Sequence, residues 1–266
     1  MKKIILIFCL ITICQSTAKE LTTLNDEHFK ISGYDIKLYT LTDGGPVWEV
    51  LEIYKDGTLV KKHDEMMRID IKYLEDLNSN GYPNLLAEVY DTGTMCNWNG
   101  ILIYEFRPQK IKEVSLRGCI VVDDLFYNNS NQLMIKELEY WQYWENHCGA
   151  CSPATEIYFI LDKNLKINIA KDFMISQSWI EEIDTTIKED CEAAKVEYEK
   201  NDSEDFVSGT FWSCMLKYYF AGQEAKAKEF YDSCFLWDEN KNDEYFNTFL
   251  EKLESSSNWQ LFKNYP

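Results

Sequence analysis

From about Glu27 to Ile169 the chain runs in short apolar stretches broken by Asp, Asn, Gly and Pro, a pattern that predicts β-strands. Three dipeptides anchor it. Ile53-Tyr54, Ile103-Tyr104 and Ile157-Tyr158 each open the second half of an apolar run, and each is followed by a short polar turn and another run. The turns are Lys55-Asp56-Gly57-Thr58, Arg107-Pro108-Gln109-Lys110 and Asp162-Lys163-Asn164. Asp-Gly between two apolar runs favours a tight hairpin, because both residues tolerate the positive φ such a turn needs. The three pairs are 50 and 54 residues apart, a spacing in the range of repeated sheet units.

A second element repeats between these hairpins. The segment from Asp76 to Leu86 matches the segment from Asp124 to Met134 at an offset of 48. In both, an apolar strand meets an Asp-Leu step, a polar turn and a further apolar strand. The unit is therefore strand, Asp/Asn turn, strand, loop, hairpin. Two such units and a leading hairpin predict a β-meander over residues 19–172, closed in a propeller-like or barrel-like way so that few strand edges stay open.

Near Ser176 the period changes. Ile180, Ile183, Ile187, Cys191, Ala194 and Tyr198 fall at three- and four-residue steps with acids between them, which predicts an amphipathic helix over 178–199. Phe206–Ala221 and Glu224–Leu236 read as a helical hairpin turning at Gly222, and a last helix is expected from Asp243 to Glu254, before the serine run 255–257. The expected class is α+β: an antiparallel β-meander domain, then an α-helical domain over 173–266. Gly222, Ala225, Ala227 and Phe230 resemble one tetratricopeptide-style helix pair, and a solenoid needs several.

The N-terminus adds a compartment. Lys2 and Lys3 precede an apolar stretch from Ile4 to Cys14, and Ser16-Thr17-Ala18 offers a small-residue cleavage site, so residues 1–18 read as a secretory signal cut after Ala18. The stretch is shorter than the roughly 20 residues a membrane span needs. Ile13 is bulky where lipidation of Cys14 wants a small residue. The expected location is periplasmic or secreted, with no integral membrane span.

Charge narrows the partners. Lys and Arg number 27 against 45 Asp and Glu, a formal net charge of −18. Such a surface repels phosphate backbones, which excludes nucleic acid as the expected partner and suits a cationic protein. Beyond the signal lie Cys96, Cys119, Cys148, Cys151, Cys191, Cys214 and Cys234. Export favours disulfides, with Cys96, Cys119, Cys148 and Cys151 the N-terminal set, and an odd total leaves one thiol free or bonded between chains.

Candidate chemistry centres on the loop after Asp76. Asp76, Asn78 and Asn80 alternate, Gly81 supplies the bend, and the Tyr82 carbonyl and Asn84 side chain could continue a ring of oxygen ligands for calcium. The loop resembles those of calcium-binding β-propeller repeats of the integrin and VCBS type. It is also similar to single-loop versions in periplasmic propeller-like inhibitors of lysozyme-like cell-wall hydrolases. The resemblance covers about 120 residues in pattern and about ten in motif. It departs at Asn80, where an acid is usual, and Ala87 stands where a helix-loop-helix site would place a glutamate. The second copy carries Phe126 and Tyr127 and cannot chelate. The alternative reading is that these Asp and Asn side chains shape turns by bonding to the backbone.

Cys148-Gly149-Ala150-Cys151 has thioredoxin-type spacing, but it sits between strands rather than at a helix start, so a structural disulfide is the expectation and redox or zinc chemistry the alternative. Three histidines, no nucleophile elbow and scattered glycines point away from an enzyme. Tyr140, Trp141, Tyr143 and Trp144 lie among Glu137, Glu139 and Glu145, the composition of a partner-binding anchor ringed by charge. Together these readings predict an exported, non-catalytic inhibitor or immunity protein that occludes a basic cell-wall hydrolase or toxin. The alternatives are a thiol-disulfide oxidoreductase using Cys148 and Cys151, and a calcium-stabilised surface interaction module.

Overall fold

The computed structural model describes residues 22–42, 47–64, 68–90, 99–127, 133–141, 152–182, 209–234 and 239–265, with positions 184, 185, 187 and 196 between them. Among the described residues, twelve strands form three antiparallel sheets of four. Sheet 1 holds β1 (Thr22–Ile31), β2 (Tyr34–Thr42), β3 (Val47–Lys55) and β4 (Thr58–His63). Sheet 2 holds β5 (Arg68–Glu75), β6 (Asn84–Tyr90), β7 (Gly100–Phe106) and β8 (Ile111–Arg117). Sheet 3 holds β9 (Cys119–Tyr127), β10 (Leu133–Tyr140), β11 (Ala154–Leu161) and β12 (Ile167–Ile169). In each sheet spatial order follows chain order, so each is a meander.

The Ile-Tyr pairs occupy the third strand of all three sheets, and Ile53, Ile103 and Ile157 are fully buried. The leading segment is a complete fourfold meander rather than a hairpin. Its extra turn, Ser32-Gly33, takes φ of 50° and 78°, the same values as Asp56-Gly57, so both connections are primed two-residue turns whose twist matches the strands they join. Ser-Gly carries less turn signal than Asp-Gly.

Among the described residues the strands do not close into a barrel, which corrects that half of the expectation. The sheets meet face to face through side chains instead. Ile36, Leu51 and Ile53 of sheet 1 pack on Leu85, Ala87, Leu102 and Tyr104 of sheet 2. The other face of sheet 2, with Leu86, Ile101 and Ile103, joins Ile120, Leu133, Ile135 and Ile157 of sheet 3. Sheet 2 is thus covered on both faces, and β7 is buried along its whole length. That is why Ile101 to Phe106 reads as a nearly unbroken apolar run while β8 alternates.

Helices follow β12 directly: α1 (Lys171–Met174), α2 (Gly209–Phe220), α3 (Glu224–Cys234), α4 (Glu239–Glu254) and α5 (Ser257–Asn264), with further helical residues at 177–182. None of the described helices is long and apolar enough to cross a membrane. The chain turns between α2 and α3 at Gly222 (φ 67°), whose N–H donates to the Tyr219 carbonyl at 2.9 Å while Gln223 N–H donates to Tyr218 at 2.8 Å. This closes the carbonyls left over at the helix end. Helix α5 lies beyond the expected last helix. Ser256 caps it, its hydroxyl accepting from Trp259 N–H at 3.1 Å, and Trp259 and Phe262 bury its apolar side.

Sheet 3 and the helices share one core. Tyr158 sits edge-on to Phe173 and Trp179, each with ring centroids 5.1 Å away. Trp212 stacks on Phe249 at 5.5 Å, and Trp141 reaches the same ring at 5.2 Å. Ala154 N–H donates to Ser213 Oγ at 3.0 Å, tying β11 to α2.

Candidate functional site

The loop after Asp76 joins β5 to β6 at the turn end of sheet 2. Asp76 folds back over it: Oδ1 accepts from Asn80 N–H at 3.1 Å and Oδ2 from Gly81 N–H at 2.7 Å. Gly81 takes φ of 86°, a left-handed conformation that glycine adopts freely. Asn84 Oδ1 accepts from Leu77 N–H at 2.8 Å, and Tyr82 N–H donates to Asn80 Oδ1 at 3.0 Å. Asp76, Asn80 and Asn84 therefore hold the turn through side-chain-to-backbone bonds.

The amide groups of Asn78 and Asn80 point inward, to a residue that sequence reading missed. Glu105, on β7, is fully buried beneath the loop. Its Oε2 accepts from Asn78 at 3.3 Å and from Asn80 at 2.5 Å, and its Oε1 accepts from Arg107 Nε at 2.6 Å. The same two amides also donate across to sheet 3, Asn78 to the Asp162 carbonyl at 3.2 Å and Asn80 to the Lys163 carbonyl at 2.9 Å. Burial alone would raise the Glu105 pKa, but the bonds from Asn80, Arg107 and Asn78, with the charge of Arg107, hold it below the usual carboxylate range. Arg107 also lies over the Tyr82 ring, 4.7 Å from its centroid. The assembly is a polar latch between the turn ends of two sheets.

For a hard cation, the oxygens that converge are Glu105 Oε2 and the carbonyls of Asp162 and Lys163. Asn78 Oδ1 is buried and has no hydrogen-bond partner among the described residues. Among the described residues no three His, Cys, Asp or Glu side chains gather in metal-binding proximity. A cation here would rely on amide and carbonyl oxygens around one carboxylate.

The aromatic cluster divides. Trp141 is core, 3% exposed, with Nε1 donating to Glu139 at 2.9 Å. Tyr140 is half-buried, and Tyr143 and Trp144 lie outside the described residues. Cys96, Cys148 and Cys151 also lie outside them, as does the segment 1–18. Cys119 is buried at the start of β9 and Cys214 is buried in α2, and each has an interaction partner.

A second polar group escaped the sequence reading. On the face of sheet 1 turned away from sheet 2, Tyr39 and Tyr54 both donate to Glu52, at 2.8 and 2.5 Å. Lys37 Nζ lies 5.1 Å from the Tyr54 ring centroid, and Lys62 is 3.9 Å from Glu52. The local signal was Glu52-Ile53-Tyr54, in which a strand puts residues two apart on one face. Glu156-Ile157-Tyr158 repeats it, with Tyr158 donating to Glu156 at 2.7 Å.

No protein-family model matches the chain, and no curated protein or solved structure matches it.

Proposed function

We propose that this chain is an exported, non-catalytic binding protein that occludes a cationic protein partner, with a cell-wall hydrolase or toxin as the target class. Three points support the reading: the signal-like N-terminus, the net charge of −18, and three four-stranded meanders, one of which carries a loop that resembles those of periplasmic inhibitors.

The observation that carries it is the Tyr39–Glu52–Tyr54 group on the open face of sheet 1. One carboxylate accepts both hydroxyls and holds both rings in place, which lowers the ordering cost when a partner lands on them. Around this group lie exposed polar side chains: Asp26 and His28 at 56% and 58% side-chain exposure, and Lys30 and Asp35 at 86% and 46%. A rigid aromatic centre with a charged rim is how binding surfaces combine affinity with fast encounter. Tyr140 stays a candidate contact on sheet 3, whereas Trp141 serves the core. The test is affinity capture from the exported proteins of the source organism. Basic proteins should be retained, and capture of only neutral or acidic ones contradicts the reading.

A calcium-stabilised interaction module is the second reading, favoured by one observation: Asn78, whose amide donates to Glu105, has a buried Oδ1 with no partner among the described residues. Calcium would then recruit Asn78, Glu105 and the carbonyls of Asp162 and Lys163. Millimolar calcium should raise the melting temperature by mass action, and Glu105→Gln should remove the response. An unchanged melting temperature in the wild type counts against calcium.

A further inference from the structure

At the turn end of the molecule, sheets 1 and 2 leave a cleft of about 240 Å³, walled by Tyr34, Lys55, Val60 and Lys61 on one side and Gln109, Lys110, Ile111 and Glu113 on the other. Tyr34 fixes the junction, its hydroxyl donating to the Arg107 carbonyl at 2.9 Å. Three ammonium groups meet one carboxylate here, in a chain whose net charge is −18.

Lys61 is matched to Glu113 at 2.6 Å. Lys55 lies over the Tyr34 ring, 4.3 Å from its centroid, and close to the space a Cβ on Gly33 would take. It is held by an aromatic face and not by a carboxylate. Among the described residues no carboxylate is within ion-pair distance of Lys55 or Lys110, and the nearest cation on the same turn, Arg107, is committed to Glu105. Among the described residues the cleft therefore carries two ammonium groups outside any ion pair, with the Asp56 carboxylate near enough to act on Tyr34. Beside them is an apolar wall, Val60 at 47% exposure with Ile111 across the cleft.

We propose that this cleft binds a small organic phosphate, with the phosphoryl group on Lys55 and Lys110 and the apolar body on Val60 and Ile111. A phosphomonoester carries close to two negative charges at neutral pH, which matches the unpaired charge, and lysine binds phosphate as a point charge. This site shares no residue with the partner-binding face, so either can fail alone.

The experiment is calorimetric titration of the intact protein with phenyl phosphate, inorganic phosphate and benzoate. Phenyl phosphate should bind tightest of the three. Lys55→Ala and Lys110→Ala should each weaken it by about tenfold, the effect of one charge-assisted contact, and Lys110→Ala should leave the melting curve unchanged because that side chain is exposed. Val60→Ser should lower affinity for phenyl phosphate and leave inorganic phosphate unaffected. Equal binding of phenyl and inorganic phosphate overturns the ester assignment in favour of a free-anion site. Absence of saturable binding, or binding indifferent to both lysine substitutions, overturns the proposal altogether.

Discussion

Glu137 stands directly across from Ile157, the place that Ile36 holds opposite Ile53 in sheet 1 and Leu86 opposite Ile103 in sheet 2. Two repeats put an apolar pair at this position and the third puts a buried carboxyl there, 7% exposed. Gly118 makes the room, since a Cβ on it would run into the Glu137 carboxyl. Burial, and then the charge of Glu139, push the Glu137 pKa up to about 7, against a bond from Asn258. A carboxyl raised in the folded state stabilises fully below its unfolded pKa and loses that contribution as pH climbs through the folded value. The protein should lose stability between about pH 4.5 and pH 8 from this group, on the order of 3 kcal/mol. Glu137→Gln should flatten that slope in pH-dependent chemical denaturation and be the more stable form at pH 8. A variant with the wild-type slope contradicts the assignment.

Glu105 has the opposite sign. Its pKa is depressed in the folded state, so its contribution is present at neutral pH and is lost as pH falls through the acid range. Glu105→Gln removes the negative charge opposite Arg107 and leaves one accepting oxygen where Arg107, Asn78 and Asn80 now share two. We expect a loss of about 2 kcal/mol at pH 7, discounted because Arg107 is partly solvated, shrinking toward acid pH. Urea denaturation of both proteins at pH 7 and pH 4 measures it. A loss of equal size at both values contradicts the charge-based account.

Tyr104 lacks what Tyr54 and Tyr158 have. Those two donate to Glu52 and Glu156, two residues back, whereas position 102 is Leu and the Tyr104 hydroxyl is buried with no partner among the described residues. Tyr104→Phe should be neutral or stabilising by up to about 1 kcal/mol, because it removes an unsatisfied polar atom and keeps the ring. Thermal melting reads this directly, and destabilisation beyond about 1 kcal/mol contradicts it.

Strand periodicity and the recurring Ile-Tyr pair made the meanders of sheets 2 and 3 legible in the sequence. Gly222 did the same for the α2–α3 turn. Sheet 1 was less legible because Ser32-Gly33 bends the chain without the Asp-Leu loop that marks the other units. The α5 helix was hidden by its eight-residue length and by a serine run that reads as a loop until Ser256 is seen capping Trp259. Around the candidate loop, Asp76, Asn78, Asn80 and Asn84 were identifiable from spacing alone. Glu105, Asp162 and Lys163 were not, since they meet the loop only after β7 and the β11–β12 turn fold against it. Spacing reports what is near along the chain, and the latch is built from what is distant along it.

The central claim, that the open face of sheet 1 occludes a cationic protein, is tested most directly by titrating a captured basic hydrolase with wild type and with the Tyr39→Ala/Tyr54→Ala variant. The wild type should abolish hydrolase activity at one-to-one stoichiometry, with an association rate that falls as salt rises. Loss of two anchoring rings should weaken inhibition by about 2 kcal/mol or more while circular dichroism stays unchanged. Full hydrolase activity at saturation, or equal inhibition by the variant, contradicts the claim.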